Sequence, residues 1–164
     1  MSQAREIRSY DYVNHPYEQV RDALSADSLK VFQSATKSAA SRARSVASEL
    51  RASIGPVEVA AEISISVKPM EETASEARLQ LEWEAASMPH LFPFMKAELA
   101  IYPLTSRETQ LDFHGLYQPP LGAVGKVLNA VAGHRIAEAA VHQFVSDVAG
   151  YLRETLGQPD SERR

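Results

Sequence analysis

The chain has 164 residues, 45% of them hydrophobic and 23% charged, with a net charge of −4 and no cysteine. That is enough for one domain with a substantial core, in the composition range of ordinary globular proteins. The acidic balance offers no cationic excess to neutralise phosphates, which argues against nucleic-acid binding, and the lack of cysteine excludes disulfides, thiolate metal sites and a cysteine nucleophile.

The first ten residues carry Arg5, Glu6 and Arg8 and no apolar stretch of the signal-peptide kind. No run reaches the roughly 18 apolar residues of a membrane span. A cytoplasmic protein is expected. Arg5 to Val13 alternates, with Ile7, Ser9, Asp11 and Val13 in one phase and Tyr10 and Tyr12 in the other, and reads as a strand. It stops at Asn14-His15-Pro16. Proline suits the first turn of a helix, Asn14 or His15 would cap it, and Glu18 favours its positive end. Tyr17, Val20 and Leu24 form a helical stripe through Ser25, and Asp27 caps a second short helix holding Leu29, Val31 and Phe32. Two signals compete from Ala35 to Leu50. Alanine and arginine favour helix, while Val46, Ser48 and Leu50 alternate with Ala47 and Glu49. The reading is helix as far as Ser38 and strand from Arg44.

Gly55-Pro56 is a turn leading into the clearest strand, Val57 to Lys68, in which every odd position is apolar and every even one but Ala60 is polar. A period of two makes a sheet with one dry and one wet face. Glu71 to Glu76 is an acidic turn. Arg78 to Ala86 alternates again with Leu79, Leu81, Trp83 and Ala85 dry. Ser87 to Phe94 is a loop with two prolines and more apolar surface than a solvated loop needs. Met95 to Leu104 and Glu108 to Tyr117 are the last strands, joined by Thr105-Ser106-Arg107, and Pro119-Pro120 leads into a final helix. Taken straight, Leu121 to Leu156 would be about 54 Å long, against a diameter of roughly 40 Å for a domain of this size. Its apolar stripe also turns by about 130° between Leu121-Val124-Leu128-Val131 and the positions after Ala137. A break near Ala132-Gly133-His134 is expected, the second segment lying across the sheet. Residues 158–164 read as a polar tail.

Gly115-Leu116-Tyr117-Gln118-Pro119-Pro120-Leu121-Gly122, followed by His134-Arg135-Ile136-Ala137-Glu138-Ala139, resembles the SRPBCC superfamily of START-related lipid-transfer domains, polyketide cyclase/dehydrase proteins and birch-pollen-allergen-like proteins. The strand running into Pro16 to Leu24 resembles that superfamily's opening strand and first helix, so the resemblance spans Arg5 to Leu156. It implies an α+β helix-grip fold in a single domain over 1–157. A curved antiparallel sheet of six to seven strands, with two short helices after the first strand, wraps a long C-terminal helix around a deep apolar cavity. Six strands are visible, and a seventh would fall between Arg44 and Val67. The motifs speak for fold and not for one activity, since members include carriers, cyclases and structural or regulatory proteins.

The dry phase supplies a candidate cavity lining. Leu81, Trp83, Met95 and Leu99 come from two strands, Phe113 and Tyr117 from the last, and Ala137, Ala140 and Phe144 from the helix. Packed core is the alternative reading for each. Met88, His90 and Phe92 would form the mouth. Tyr117 is either a core tyrosine with a backbone partner or a hydrogen-bond donor to a ligand. His114 shares the wet phase of Gln110 and Asp112, and acts as a base only if a bulge at Gly115 reverses its side. His134, Glu138 and His142 recur at helical spacing. Adjacent pairs can share a metal, but the outer two are about 12 Å apart along the axis, so a solvated helix face is the reading and no metal or cofactor is expected. Tyr102 and Arg78 fall on the wet side. The expectation is binding or transport of a hydrophobic small molecule (a lipid, isoprenoid or polyketide-like compound). One alternative is a cyclase or dehydratase using Tyr117 or His114, and another is a structural or regulatory interaction module.

Overall fold

The computed structural model describes residues 5–50, 63–85, 94–118 and 130–157. Their elements are β1 (Arg5–Val13), α1 (Tyr17–Glu49), β2 (Ile63–Val67), β3 (Glu71–Glu72), β4 (Ala77–Ala85), β5 (Phe94–Thr105), β6 (Glu108–Gln118) and α2 (Ala130–Leu156). The strands form one antiparallel sheet in the order β1-β6-β5-β4-β2, and the two-residue β3 pairs with β4. Alternation decides the faces. Leu79, Leu81 and Trp83 of β4, Met95, Leu99 and Ile101 of β5, and Leu111, Phe113 and Tyr117 of β6 are buried, while Arg78, Gln80, Glu82 and His114 face outward. The only register shift in the β5–β6 hairpin lies between Pro103 and Thr105, where proline has no N–H to give the ladder. No bulge occurs at Gly115, which pairs regularly with Ala97.

Two expectations about the helices are corrected. Asp27 does interrupt α1, with φ −136° and ψ 30°, but beyond it the helix continues to Glu49 and no strand starts at Arg44. The reason is a stripe of small residues. Ala35, Ala39, Ala43 and Ala47 recur every fourth position and are buried, and small side chains on a helix-favouring sequence let α1 lie close along α2. Ser38 Oγ donates to Asp147 Oδ2 at 2.9 Å across that contact. The clean alternation expected over Val57 to Lys68 is seen in β2; positions 51–62 lie outside the described residues.

The break expected at Ala132-Gly133-His134 is absent, because α2 is continuous from Ala130 to Leu156. Its 27 residues make a rod of about 40 Å, which the domain can hold. Gly133 lies on the buried face together with Ala137, Ala140, Val141, Phe144 and Val148, so it fits the stripe instead of interrupting it. Positions 119–129, with the earlier part of the expected helix, lie outside the described residues.

Phe144 sits where the layers meet. Its ring lies 5.8 Å from Phe32 of α1, 5.1 Å from Trp83 of β4 and 5.8 Å from Phe113 of β6. One end of the structure is laced by polar bonds. Pro16, not Asn14 or His15, occupies the N-cap of α1 without a side-chain cap, and His15 turns instead to the far end of α2, its Nε2 lying 2.8 Å from the Gly157 carbonyl oxygen. Gly157 has φ 73°, the left-handed geometry that lets its N–H close back on the Arg153 carbonyl. Thr109 Oγ1 donates to the His15 carbonyl at 2.8 Å, and Arg153 donates to Asp11 Oδ1 and the Tyr12 carbonyl.

Candidate functional site

The opposite end is held differently. Antiparallel pairing brings the first residue of β1, the start of β5 and the end of β6 together there, so that Arg5 and Met95 both pair with Tyr117. The inward phase of β6 turns the Tyr117 ring into the interior, where it is 1% exposed. The first turns of α2 bring His134 over it. The Tyr117 hydroxyl lies 2.6 Å from His134 Nδ1, with the rings 5.9 Å apart. His134 Nε2 lies 3.3 Å from Glu138 Oε2, one turn further along α2. The Glu138 carboxylate can only accept, so in the neutral imidazole Nε2 carries the hydrogen that faces it and Nδ1 accepts from the Tyr117 hydroxyl.

This pairing is distinctive. Among the described residues, the other buried hydroxyls of Tyr17, Thr36 and Thr109 each donate to a backbone carbonyl, of Thr73, Phe32 and His15 respectively. Tyr117 instead meets a titratable side chain. Burial pushes its pKa up from the ordinary 10.0; the Arg5 guanidinium beside it pulls the other way, and the Glu138 charge adds to the rise. Tyr117 is therefore a neutral phenol at physiological pH. From it the chain of contacts runs outward, His134 and Glu138 side chains being 38% and 67% exposed.

The residues expected to line a cavity lie together. Leu81, Trp83, Met95 and Leu99 face inward from β4 and β5, Phe113 and Tyr117 from β6, and Ala137, Ala140 and Phe144 from α2, all of them buried. Trp83, Phe113 and Phe144 are in ring contact in the middle of this interior. The expected mouth residues Met88, His90 and Phe92 lie outside the described residues. His114 stands on the outer face with its Nε2 2.9 Å from Glu6 Oε1, away from the interior. Tyr102 and Arg78 are also on that face; Tyr102 reaches Asp112, and Arg78 pairs with Glu76 and Glu98. His142 lies 3.4 Å from Ser9 Oγ, and among the described residues no three His, Asp or Glu side chains converge as a metal site.

A feature that sequence reasoning missed is an outer cleft of about 340 Å³ between β1, α1 and α2, lined by Arg8, Ser9, Arg42, Arg135, Glu138 and His142. These positions are scattered over three elements, and only the packing of α1 on α2 brings them together. Arg5 was likewise unmarked, since its relation to Tyr117 exists only through strand register.

No protein-family model matches the sequence, and no curated protein matches it. Solved structures do. A norcoclaurine synthase point mutant from Thalictrum flavum, in complex with a transition-state analogue, aligns with a TM-score of 0.53 at 9% identity over 96% of this chain and 99% of that one. The same enzyme in complex with dopamine and hydroxybenzaldehyde gives 0.51 at 8% identity over 96% and 91%. A conserved protein from Geobacillus kaustophilus gives 0.52 at 12% identity over 92% and 97%. At these identities the likeness is one of fold. The chain has the helix-grip fold of these structures, an open antiparallel sheet covered by a C-terminal helix, as its resemblance to the SRPBCC superfamily implied.

Proposed function

We propose that this protein binds a hydrophobic small molecule between the inner face of the sheet and α2, with the Tyr117 end as the point of entry. The observation that carries this is the contrast between the two ends. One is fastened by bonds to the backbone oxygens of His15, Tyr12 and Gly157. The other is held by a buried phenol that reaches the half-exposed His134. The norcoclaurine synthase of this fold holds small aromatic molecules, dopamine and hydroxybenzaldehyde, which supports the reading by analogy of architecture.

The driving force would be burial. At about 25 cal/mol per Å², roughly 300 Å² of enclosed apolar surface contributes about 7 kcal/mol before entropic losses. Among the described residues no helix is long and apolar enough to cross a membrane. The test is displacement of the fluorescent dye anilinonaphthalene sulfonate by lipids, isoprenoids and aromatic polyketides, followed through the dye and through Trp83. Saturable dye binding, blocked by filling the interior with Ala140→Phe, is the expected result. A folded protein that binds no dye and carries no molecule through native mass spectrometry would leave an interaction module as the function. A second reading, a cyclase or dehydratase, is favoured by the same Tyr117–His134–Glu138 chain, because such chemistry needs a proton acceptor at the ligand.

A further inference from the structure

The chain of contacts from Tyr117 does not end in the protein. Glu138, its last member, also lines the 340 Å³ cleft between β1, α1 and α2. A buried hydroxyl is thus joined by two successive contacts to a group that lines an outer groove. The polarity of that line has a consequence. The Tyr117 proton is committed to His134 Nδ1 at 2.6 Å and one lone pair of its oxygen faces the Arg5 guanidinium, so what the oxygen can still offer a ligand is its remaining lone pair. A lone pair favours a ligand that donates a hydrogen bond.

We propose that Tyr117, His134 and Glu138 form a proton relay between the interior and the outer cleft, and that the ligand site accordingly takes molecules bearing a weakly acidic hydroxyl, a phenol or an enol, in preference to ethers or carboxylates. The inference rests on the interior binding site proposed above. The proton balance is simple. The ligand O–H donates to the Tyr117 oxygen; as that proton moves across, the Tyr117 proton passes to His134 Nδ1. The ligand becomes a phenolate or enolate, Tyr117 remains a neutral phenol, and His134 becomes an imidazolium whose Nε2–H faces Glu138. No electrons change hands, and the reverse passage restores the starting state. Among the described residues, the charged groups beside the Tyr117–His134 pair are Arg5 from β1 and Glu138 from α2. The Arg5 guanidinium beside Tyr117 stabilises the negative charge that forms on the ligand oxygen next to it, and Glu138 stabilises positive charge on the His134 ring. Both favour the transferred state.

The experiment compares three probes with the same ring system: 2-naphthol, its methyl ether and 2-naphthoate. Their affinities are measured by fluorescence titration against the wild-type protein and against Tyr117→Phe, Glu138→Gln and, as a control for loss of an exposed phenol, Tyr10→Phe. The expected result is naphthol at least tenfold tighter than the ether and than naphthoate, a preference abolished in Tyr117→Phe, reduced severalfold in Glu138→Gln and unchanged in Tyr10→Phe. Across naphthols of similar size, affinity rises with hydroxyl acidity, which a merely structural tyrosine would not produce. Glu138 is exposed, so its variant carries the test even if Tyr117→Phe fails to fold. Equal affinity for naphthol and ether overturns the relay and leaves the binding site standing, as does a naphthol preference that survives both variants. Failure of all three probes to bind overturns the binding site and the relay with it.

Discussion

The Tyr117–His134 contact makes an asymmetric prediction about stability. Removing the hydroxyl with Tyr117→Phe deletes its bond to His134 and leaves behind His134 Nδ1, on a side chain 38% exposed, and the exposed Arg5 guanidinium, both of which water can reach. The cost is the net value of a bond, about 0.5–1.5 kcal/mol. Removing the imidazole with His134→Ala leaves the hydroxyl of a residue that is 1% exposed without its acceptor. That incurs a desolvation penalty of about 1–3 kcal/mol, offset by about 0.5 kcal/mol because alanine is the better helix former. In the Tyr117→Phe background no hydroxyl remains to be orphaned, so His134→Ala should be neutral or slightly stabilising there. The double-mutant coupling is therefore about 1–3 kcal/mol. Urea denaturation of the four proteins, followed by far-ultraviolet circular dichroism and by Trp83 fluorescence, measures it. A coupling within about 0.3 kcal/mol of zero, the ordinary additivity of independent sites, would show that the buried phenol finds another partner and that the contact does not order this end.

Three further outcomes follow from packing and burial. Phe144→Ala removes a fully buried ring with three aromatic neighbours and should cost about 5 kcal/mol, the upper end for such truncations; a loss under about 2 kcal/mol in the same assay would mean the cluster is loosely packed. Gly115→Ala places a methyl 2.9 Å from both Met95 Sδ and Phe113 Cε1, so one of them must shift at about 1–3 kcal/mol; a midpoint equal to wild type would refute that crowding. Burial raises the pKa values of Tyr17, Tyr102 and Tyr117 above the ordinary 10.0, so the folded state holds their protons more tightly than the unfolded state. Stability from this source is intact below about pH 10 and falls as pH rises from there through the folded-state values. Unfolding free energy measured from about pH 8 to pH 12 should show that decline, shallower in Tyr17→Phe, and a flat profile would contradict it.

The strands were legible because each buries only one face. Leu79-Leu81-Trp83 and Leu111-Phe113-Tyr117 must alternate if Gln80, Glu82 and His114 are to stay wet. The second half of α1 was not, because its buried stripe is alanine, too small to mark a period against the accidental alternation of Val46, Ser48 and Leu50. The expected break in the last helix came from its length counted from Leu121 and from the turn of its apolar stripe. The described stretch Ala130–Leu156 fits the domain without one, and the first stripe falls almost entirely on positions outside the described residues. At the site, the inward phase of Tyr117 and the helical register of Glu138 and His142 could each be read. The meeting of Tyr117 with His134 was not read. His134 was grouped with Glu138 and His142 on a solvated face, although a helical wheel puts it in line with buried Leu152, and only tertiary packing sets which strand end it covers.

The unequal fastening of its two ends has a dynamic consequence for α2. At its C-terminal end the helix is tied by Arg153 to Asp11 and to a backbone oxygen of β1, and by His15 to the Gly157 carbonyl. In its N-terminal half the described polar ties to the sheet are the 2.6 Å His134–Tyr117 contact and a longer one, 3.4 Å, from His142 to Ser9 of β1. Local opening costs the bonds it breaks, so the first half of α2 should open at lower free energy than the second. Hydrogen exchange can resolve this once the first turn, whose amides lack helical partners in any case, is set aside. Amides of Glu138 to Val141 should exchange through local opening, and those of Val148 to Leu152 only with global unfolding. Tyr117→Phe should then speed exchange in the first group and leave the second near its wild-type rate, corrected for the change in global stability. Uniform protection along α2, or an equal response of both groups, would mean that the helix opens as one unit and that the Tyr117 end is no easier to enter than the other.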